Sequence, residues 1–273
     1  MSDYNLYTQS INEERLERDR RMTSNERNWL SLAGLFWLEE GDNPFGSASG
    51  NKIQLEGFPL EHCGTLHMQA GQVSLSEAAA SITLNGSKPT LRLLAADVEE
   101  NPDLVEAGPI RLMVIKRGER TLLRAWDVNS QTVKEFHGLR YFAVDPKWRI
   151  PAIFEPYDPP KTIHIQDMIG GSREGALLGR LRFNLNGHEY ALEIEDADDE
   201  GLISFTDETR KDLTYPGGRY LTLPKPIEEN TTLDFNRAHN WPCAYTSWAT
   251  CPLPPQGNHL PVRVEAGEKR YHD

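Results

Sequence analysis

The stretch Leu181-Arg-Phe183-Asn-Leu185, Asn186-Gly187, Tyr190-Ala-Leu192-Glu-Ile194 constrains the fold more than any other part of the chain. Apolar residues fall at every second position on both sides of an Asn-Gly pair. Side chains that alternate between two faces fit half-buried strands, not a helix. Asn-Gly accepts positive φ at both central positions of a tight turn, so the two runs predict an antiparallel hairpin. The alternation recurs at Ile53/Leu55, Val73/Leu75 and Ile82/Leu84, the last followed by Asn85-Gly86. It appears again on either side of Arg117-Gly118, in residues 112–116 and 122–126. Frequent Gly and Pro punctuation adds the rhythm of an antiparallel sandwich or barrel. No long helical patterns separate the strands, which argues against a doubly wound α/β fold.

Helical spacing is confined to the start of the chain. Leu6, Tyr7, Ile11, Glu14, Arg15 and Arg18 have a loose helical period with charges on most faces. Thr23 and Glu26 have the form of a capping box, and Trp29, Leu30, Leu32, Ala33, Phe36 and Trp37 then predict a second helix ending at Gly41. The expected fold class is therefore mainly β, with antiparallel sandwich or barrel-like sheets and N-terminal α-helices packed on one side. The expected organisation is an N-terminal helical segment over 1–45, a first β lobe over 46–150 and a second over 151–273. The proline-dense stretch from Asp145-Pro146 through Pro159-Pro160 would divide the lobes or cross over within one continuous domain.

A length of 273 residues with 38% hydrophobic residues is enough for a full core. The formal net charge of −12 repels phosphate backbones and anionic lipid, so neither nucleic acid nor membrane is an expected partner. The N-terminus lacks the pattern of a secretory signal, and no apolar run is long enough for a membrane helix. Cys63, Cys243 and Cys251 make an odd count in a long chain, which argues against a disulfide framework. The expected location is cytoplasmic.

Phosphate-loop, dinucleotide and HExxH or GxSxG signatures are missing, and Gly170–Gly175 reads as a solvent loop. The informative part is the C-terminal quarter. Thr214-Tyr215-Pro216-Gly217-Gly218-Arg219 predicts a type II turn leading a guanidinium into a strand, a geometry suited to gripping an anion or pairing with Asp207 or Asp234. In Thr232-Leu233-Asp234-Phe235-Asn236, alternation puts Leu233 and Phe235 on one face and Asp234 and Asn236 on the other. The loop from Arg237 to Asn258 is too rich in proline for regular structure and too rich in aromatic and sulfur side chains for a solvated linker. Its Trp241, Tyr245 and Trp248 are expected to pack down.

These blocks carry a family resemblance. Thr214-Tyr215…Gly218-Arg219, Asp234-Phe235-Asn236-x-Ala238-x-Asn240-x-Pro242-Cys243-Ala244-Tyr245, Cys251-Pro252-Leu253-Pro254-Pro255-x-x-Asn258 and Ala266-Gly267-Glu268 together resemble the prokaryotic family of unknown function numbered 1684. Upstream, Trp29-Leu30…Gly41 and Arg117-Gly118…Asp127 are similar to the same pattern. The resemblance implies relatives but no activity.

Two functional readings follow. In the first, a pocket under the C-terminal loop binds a small polar or anionic molecule, with hydrolysis as the chemistry the set would suit. Asp234 would be base or orienter, Asn236, Asn240 and Asn258 hydrogen-bond donors, Arg219 the anion grip and Glu268 a second carboxylate, with Tyr215 and Cys243 also touching ligand. Asp234, Asn236 and Arg219 would then share one cleft. In the second, the same residues only order the loop of a structural or interaction protein. Cys243, Cys251, His239 and His259 have spacings longer than structural zinc sites favour, so no metal is expected, and the two loop cysteines read as small apolar fillers. The cofactor is unknown; flavin has no legible phosphate signature.

Overall fold

The computed structural model of the chain describes residues 3–272. Strand takes 44% of the residues and helix 15%, in curled sheets, sandwich-like, with a half-barrel and an N-terminal helix. The chain divides into two compact units, Arg21–Phe136 and the pair Met1–Arg20 with His137–Asp273. Helix α1 runs from Asp3 to Thr23.

In the unit Arg21–Phe136, strands β1 (Leu32–Trp37), β2 (Gly41–Gly46), β3 (Ile53–Gln54), β4 (Gly64–Gln69), β5 (Gln72–Ala78) and β6 (Ile82–Leu84) come first. Then come β7 (Val105–Ala107), β8 (Ile110–Arg117), β9 (Arg120–Asp127) and the short helix α2 (Gln131–Lys134). They form a five-stranded sheet, β1-β9-β8-β7-β6, and a four-stranded one, β3-β2-β4-β5. Phe45, Ile53, Leu66, Leu112 and Val114 are among the residues of the common core. Alternation explains the buried faces of β5, β6 and β7, whereas the middles of β8 and β9 are buried on both faces; Gly118, at φ 61°, closes the β8–β9 hairpin.

The second expected helix is absent. Trp29–Ser31 form a 3-10 turn whose first free N–H groups, on Leu30 and Ser31, donate to the Asn28 side chain. Leu32–Trp37 then pair with β9 as strand β1. Apolar residues on every side of this segment fit a helix or a strand equally, and partner pairing decides between them. Asn85-Gly86 does sit in a tight turn, with φ 51° and 74°. It closes on Ser87 only, and β6 finds its ladder partner in β7 instead.

In the other unit, β10 (Arg149–Gln166), β11 (Ser172–Leu185), β12 (His188–Ala197), β13 (Glu200–Asp207), β14 (Arg219–Pro224), β15 (Asn230–Asp234) and β16 (His239–Asn240) form the curled sheet β15-β10-β11-β12-β13-β14-β16. Strand β17 (His259–Leu260) lies parallel to β13. Asn186 and Gly187, at φ 54° and 81°, turn β11 into β12 as the sequence predicts. The proline-dense stretch opens with a 3-10 turn at Pro146–Trp148 and from Arg149 on is part of β10. Pro156, Pro159 and Pro160 fall at a break in register between Pro156 and Lys161, where missing N–H groups are tolerated. Phe183, Phe205, Phe235 and Leu233 anchor the core, with Phe235 edge-on to Phe205 at 5.3 Å.

Candidate functional site

Strands β14 and β15 follow one another through the short loop 225–229, yet they do not pair. Among the described residues β15 pairs only with β10, and β14 has a second neighbour only at Arg219 and Tyr220. The curl of the sheet makes the two strands opposite walls of one cleft of about 580 Å³. Leu221, Leu223 and Leu233 supply its apolar lining, Thr222 and Thr232 its hydroxyls, and Leu6, Tyr7 and Ser10 of α1 also line it. Arg149, Asp234 and Arg237 are the charged residues of the lining.

Asp234 and Asn236 lie together, as the alternation suggests. The Tyr7 hydroxyl lies 2.9 Å from both Asp234 carboxylate oxygens and accepts from Asn236 Nδ2 at 2.9 Å. The Asn236 amide N–H donates to Asp234 Oδ1 at 3.1 Å, and Asn236 also exchanges two hydrogen bonds with the Asp145 backbone. Burial, then the Asp234 carboxylate, push the Tyr7 phenol well up, so it stays a donor across the physiological range. Arg237 is shared between Asp234, at 3.4 Å, and Glu14, at 2.8 Å. Arg149 is the cross-strand neighbour of Asp234 on β10, and its guanidinium sits 5.5 Å from the centre of the Tyr7 ring. The Arg149 backbone N–H donates to the Pro146 carbonyl, but among the described residues the guanidinium has no hydrogen bond and no carboxylate partner.

Arg219 does not join this cleft. It is buried against Phe205, donates to Asp207 Oδ2 at 2.7 Å and to the Val264 carbonyl at 2.9 Å, and also bonds the Ala266 carbonyl. Burial pulls its pKa down and Asp207 holds it up. Asp207 in turn accepts from Thr209 and from the Val264 amide, so the pair is closed on itself. The turn before it differs from the expected type. Gly218 N–H donates to the Tyr215 carbonyl, but the left-handed residue is Gly218, at φ 95°, not Gly217. A Cβ on Gly218 would lie 2.5 Å from the Phe205 carbonyl, so glycine is required where the turn meets β13.

Glu268 and Asn240 form a second buried group. Glu268 accepts from Asn240 N and Nδ2 at 3.1 and 3.0 Å, from the Tyr245 hydroxyl at 2.5 Å and from Arg18 Nε at 3.3 Å. Arg18 also donates to the Asn240 carbonyl at 3.2 Å and to Tyr245 at 3.0 Å. Burial raises Glu268 despite Arg18, and burial with Glu268 nearby raises Tyr245 well above its ordinary range. His239, beside them, is lowered to about 3 by burial and by Arg18, Arg15 and Arg237.

The remaining candidates hold the chain together elsewhere. Asn258 is buried and brackets Glu193 N and O, at 2.7 and 2.9 Å, and the Ser204 carbonyl at 2.8 Å. Tyr215 donates weakly to Met168 Sδ at 3.6 Å. Cys243 is not a free filler: it is disulfide-bonded to Cys251, with Cα atoms 6.2 Å apart, while Cys63 is buried and unpaired. Trp241 packs on Tyr220 at 4.5 Å and Tyr245 is buried, but Trp248 is exposed. No cluster of three or more metal-ligating side chains occurs among the described residues. No helix among them is long and apolar enough to cross a membrane.

Tyr7, Arg18 and Arg149 carry roles the sequence does not announce. One signal was available: Tyr7, Ile11, Arg15 and Arg18 follow helical spacing along one stripe, and all four meet the sheet unit or its core. Charges on most faces of the segment hid which stripe would pack.

A curled antiparallel half-barrel with an N-terminal helix over its open seam is the class of protein that fold and site define. The chain belongs to the family DUF1684, described as a protein of unknown function, which matches residues 134–269. The upstream blocks Trp29–Gly41 and Arg117–Asp127 lie outside that match, as does α1. An uncharacterized protein of Haloarcula marismortui, solved by solution NMR, is 31% identical, covering 50% of this chain and 78% of its own, with a TM-score of 0.43. The search of curated proteins returns no match.

Proposed function

We propose that the cleft between β14, β15 and α1 binds a small molecule carrying a carboxylate or phosphate group together with a hydrogen-bond donor. The observation that carries this reading is Arg149, a cleft-lining guanidinium without a carboxylate partner among the described residues. Asp234 is already balanced by Arg237 and Tyr7, so Arg149 is the cation left to meet an anion. Asp234 would accept the ligand's donor. It is the one carboxylate in the lining, so a hydrolytic step would have a base but no paired acid, and binding is the better-supported part of the proposal. The anion grip thus passes from Arg219 to Arg149.

For Arg219, Asn240, Asn258 and Glu268 the structural reading is favoured. Each is buried at 1% exposure or less and hydrogen-bonded within the protein. Neither nucleic acid nor membrane is a proposed partner, and the Cys243–Cys251 disulfide would be unusual in the expected cytoplasmic location.

Calorimetric titration with N-acetylglycine and with inorganic phosphate tests it. At least one should bind, and Arg149→Ala should weaken that binding about tenfold or more, the loss of a charge-assisted contact. Binding that Arg149→Ala leaves unchanged, or no binding of either anion, would sink the reading.

A further inference from the structure

The walls of the cleft say what shape its ligand has. Consecutive antiparallel strands joined by a short connection ordinarily pair as a hairpin. β14 and β15 instead stand apart, and each presents a strand edge to the gap. Along Leu221–Pro224 the only ladder partner is β13, and along Thr232–Asp234 it is β10. No other backbone hydrogen bond engages either stretch among the described residues. Free main-chain donors and acceptors therefore lie along both walls. Between them are side chains of alternating character: Leu221 and Leu233 buried in the core, Thr222 exposed and Thr232 half-exposed.

We infer that this cleft receives the C-terminal end of an extended peptide, which adds as a strand to the open edge and places its terminal carboxylate on Arg149. The inference rests on the anion-binding reading of the same cleft. Strand addition takes its affinity from main-chain hydrogen bonds and its selectivity from alternate side chains. Half-buried Leu223 suits an apolar side chain on one face of the added strand, and Thr222, Thr232, Ser10 and Tyr7 suit polar ones on the other. The edge Leu221–Pro224 matches a tetrapeptide, which extends to about 13 Å at roughly 3.3 Å per residue. Charge points to the carboxylate end of a chain: among the described residues the Arg149 guanidinium has no carboxylate partner, while the charge of Asp234, the acid in the lining, is already balanced by Arg237.

The test uses the full chain and four probes. They are N-acetylglycine, an N-acetylated tetrapeptide of alternating valine and threonine with a free C-terminus, its C-terminal amide, and the acid form N-methylated at alternate residues. The free tetrapeptide should bind at least tenfold more tightly than N-acetylglycine. Amidation should cost about tenfold in wild type and nothing in Arg149→Ala. N-methylation in one of its two registers should abolish the gain, and amide hydrogen exchange should slow along Leu221–Leu223 and Leu233–Asp234. If N-acetylglycine binds through Arg149 and the tetrapeptide binds no better, or N-methylation in both registers is harmless, the peptide inference falls and the anion reading stands. If no probe binds, both fall. Slowing of the same amides by self-association, without peptide, would put a second copy of the chain on the edge and overturn the assignment.

Discussion

Arg219 and Asp207 meet at 2.7 Å with side chains only 1% and 2% exposed, an ion pair enclosed on every side by β13, β14 and the segment 264–266. In such a place each charge is tolerated because of the other.

Asp207→Ala should therefore cost roughly 3–5 kcal/mol by stranding the guanidinium. Arg219→Met in the same background should recover part of that loss, since an apolar side chain of similar length removes the uncompensated charge. Urea midpoints of the two single variants and the double variant test the coupling. Additive losses would mean that the pair is not a unit.

Glu195 is buried with Oε1 bonded to Ser204 at 2.8 Å and Arg173 no closer than 3.9 Å to Oε2. Burial raises its pKa above 4.5, against the pull of Ser204 and Arg173. The folded chain then keeps a proton that the unfolded chain releases, so this group's contribution to stability falls as pH rises through 4.5 towards the raised value. Glu195→Gln should flatten that fall. Denaturation midpoints from about pH 4 to about pH 8 measure it, and parallel curves for wild type and variant would refute the assignment.

His239 has the opposite sign. Its pKa drops from 6.5 to about 3, so the folded state holds a neutral ring where the unfolded chain takes up a proton. The stability this gives is full above 6.5 and is lost as pH falls towards 3. The His239 ring resonances in an NMR titration should show no inflection above about pH 5. A His239 midpoint near 6.5 would contradict its burial among Arg15, Arg18 and Arg237.

The Cys243–Cys251 disulfide spans a sequence separation of 8 around Tyr245, which reaches Glu268 and Arg18. Closing so short a loop is worth about 2–3 kcal/mol in the chain-entropy account. Reduction should lower the unfolding midpoint of wild type and leave a Cys243→Ser, Cys251→Ser variant unchanged. Mass spectrometry after alkylation of the unreduced protein should find one reactive thiol, Cys63, once the chain is unfolded; three would show that the bond is not there.

The β architecture was legible because alternation and Asn-Gly chemistry act locally: residues 181–194 specify their own hairpin. Leu32–Trp37 were not legible, since only β9 makes a strand of them. Asp234 and Asn236 were legible as neighbours, and Asp207 was one of two acids foreseen for Arg219. What could not be read was enclosure. Asn258, Asn240 and Glu268 look like ligand-binding groups in one dimension, and become internal brackets only when Glu193, Ser204, Tyr245 and Arg18 arrive from distant segments. Arg149 gained meaning only from its register opposite Asp234. Tyr7 needed a partner 227 residues away.

That last separation governs the order in which the molecule can be made. Residues 21–136, a unit of their own, lie in sequence between Tyr7 and the sheet that seats it. A ribosome adding roughly 5–20 residues per second needs on the order of ten to forty seconds to pass from Tyr7 to Asp234. Throughout that interval the helix segment has no seat for Tyr7, Arg15 or Arg18, and a lone helix of this length is only marginally stable in water. Helix α1 is thus made long before its seat, and the cleft gains its α1 side only once β15 has been synthesised.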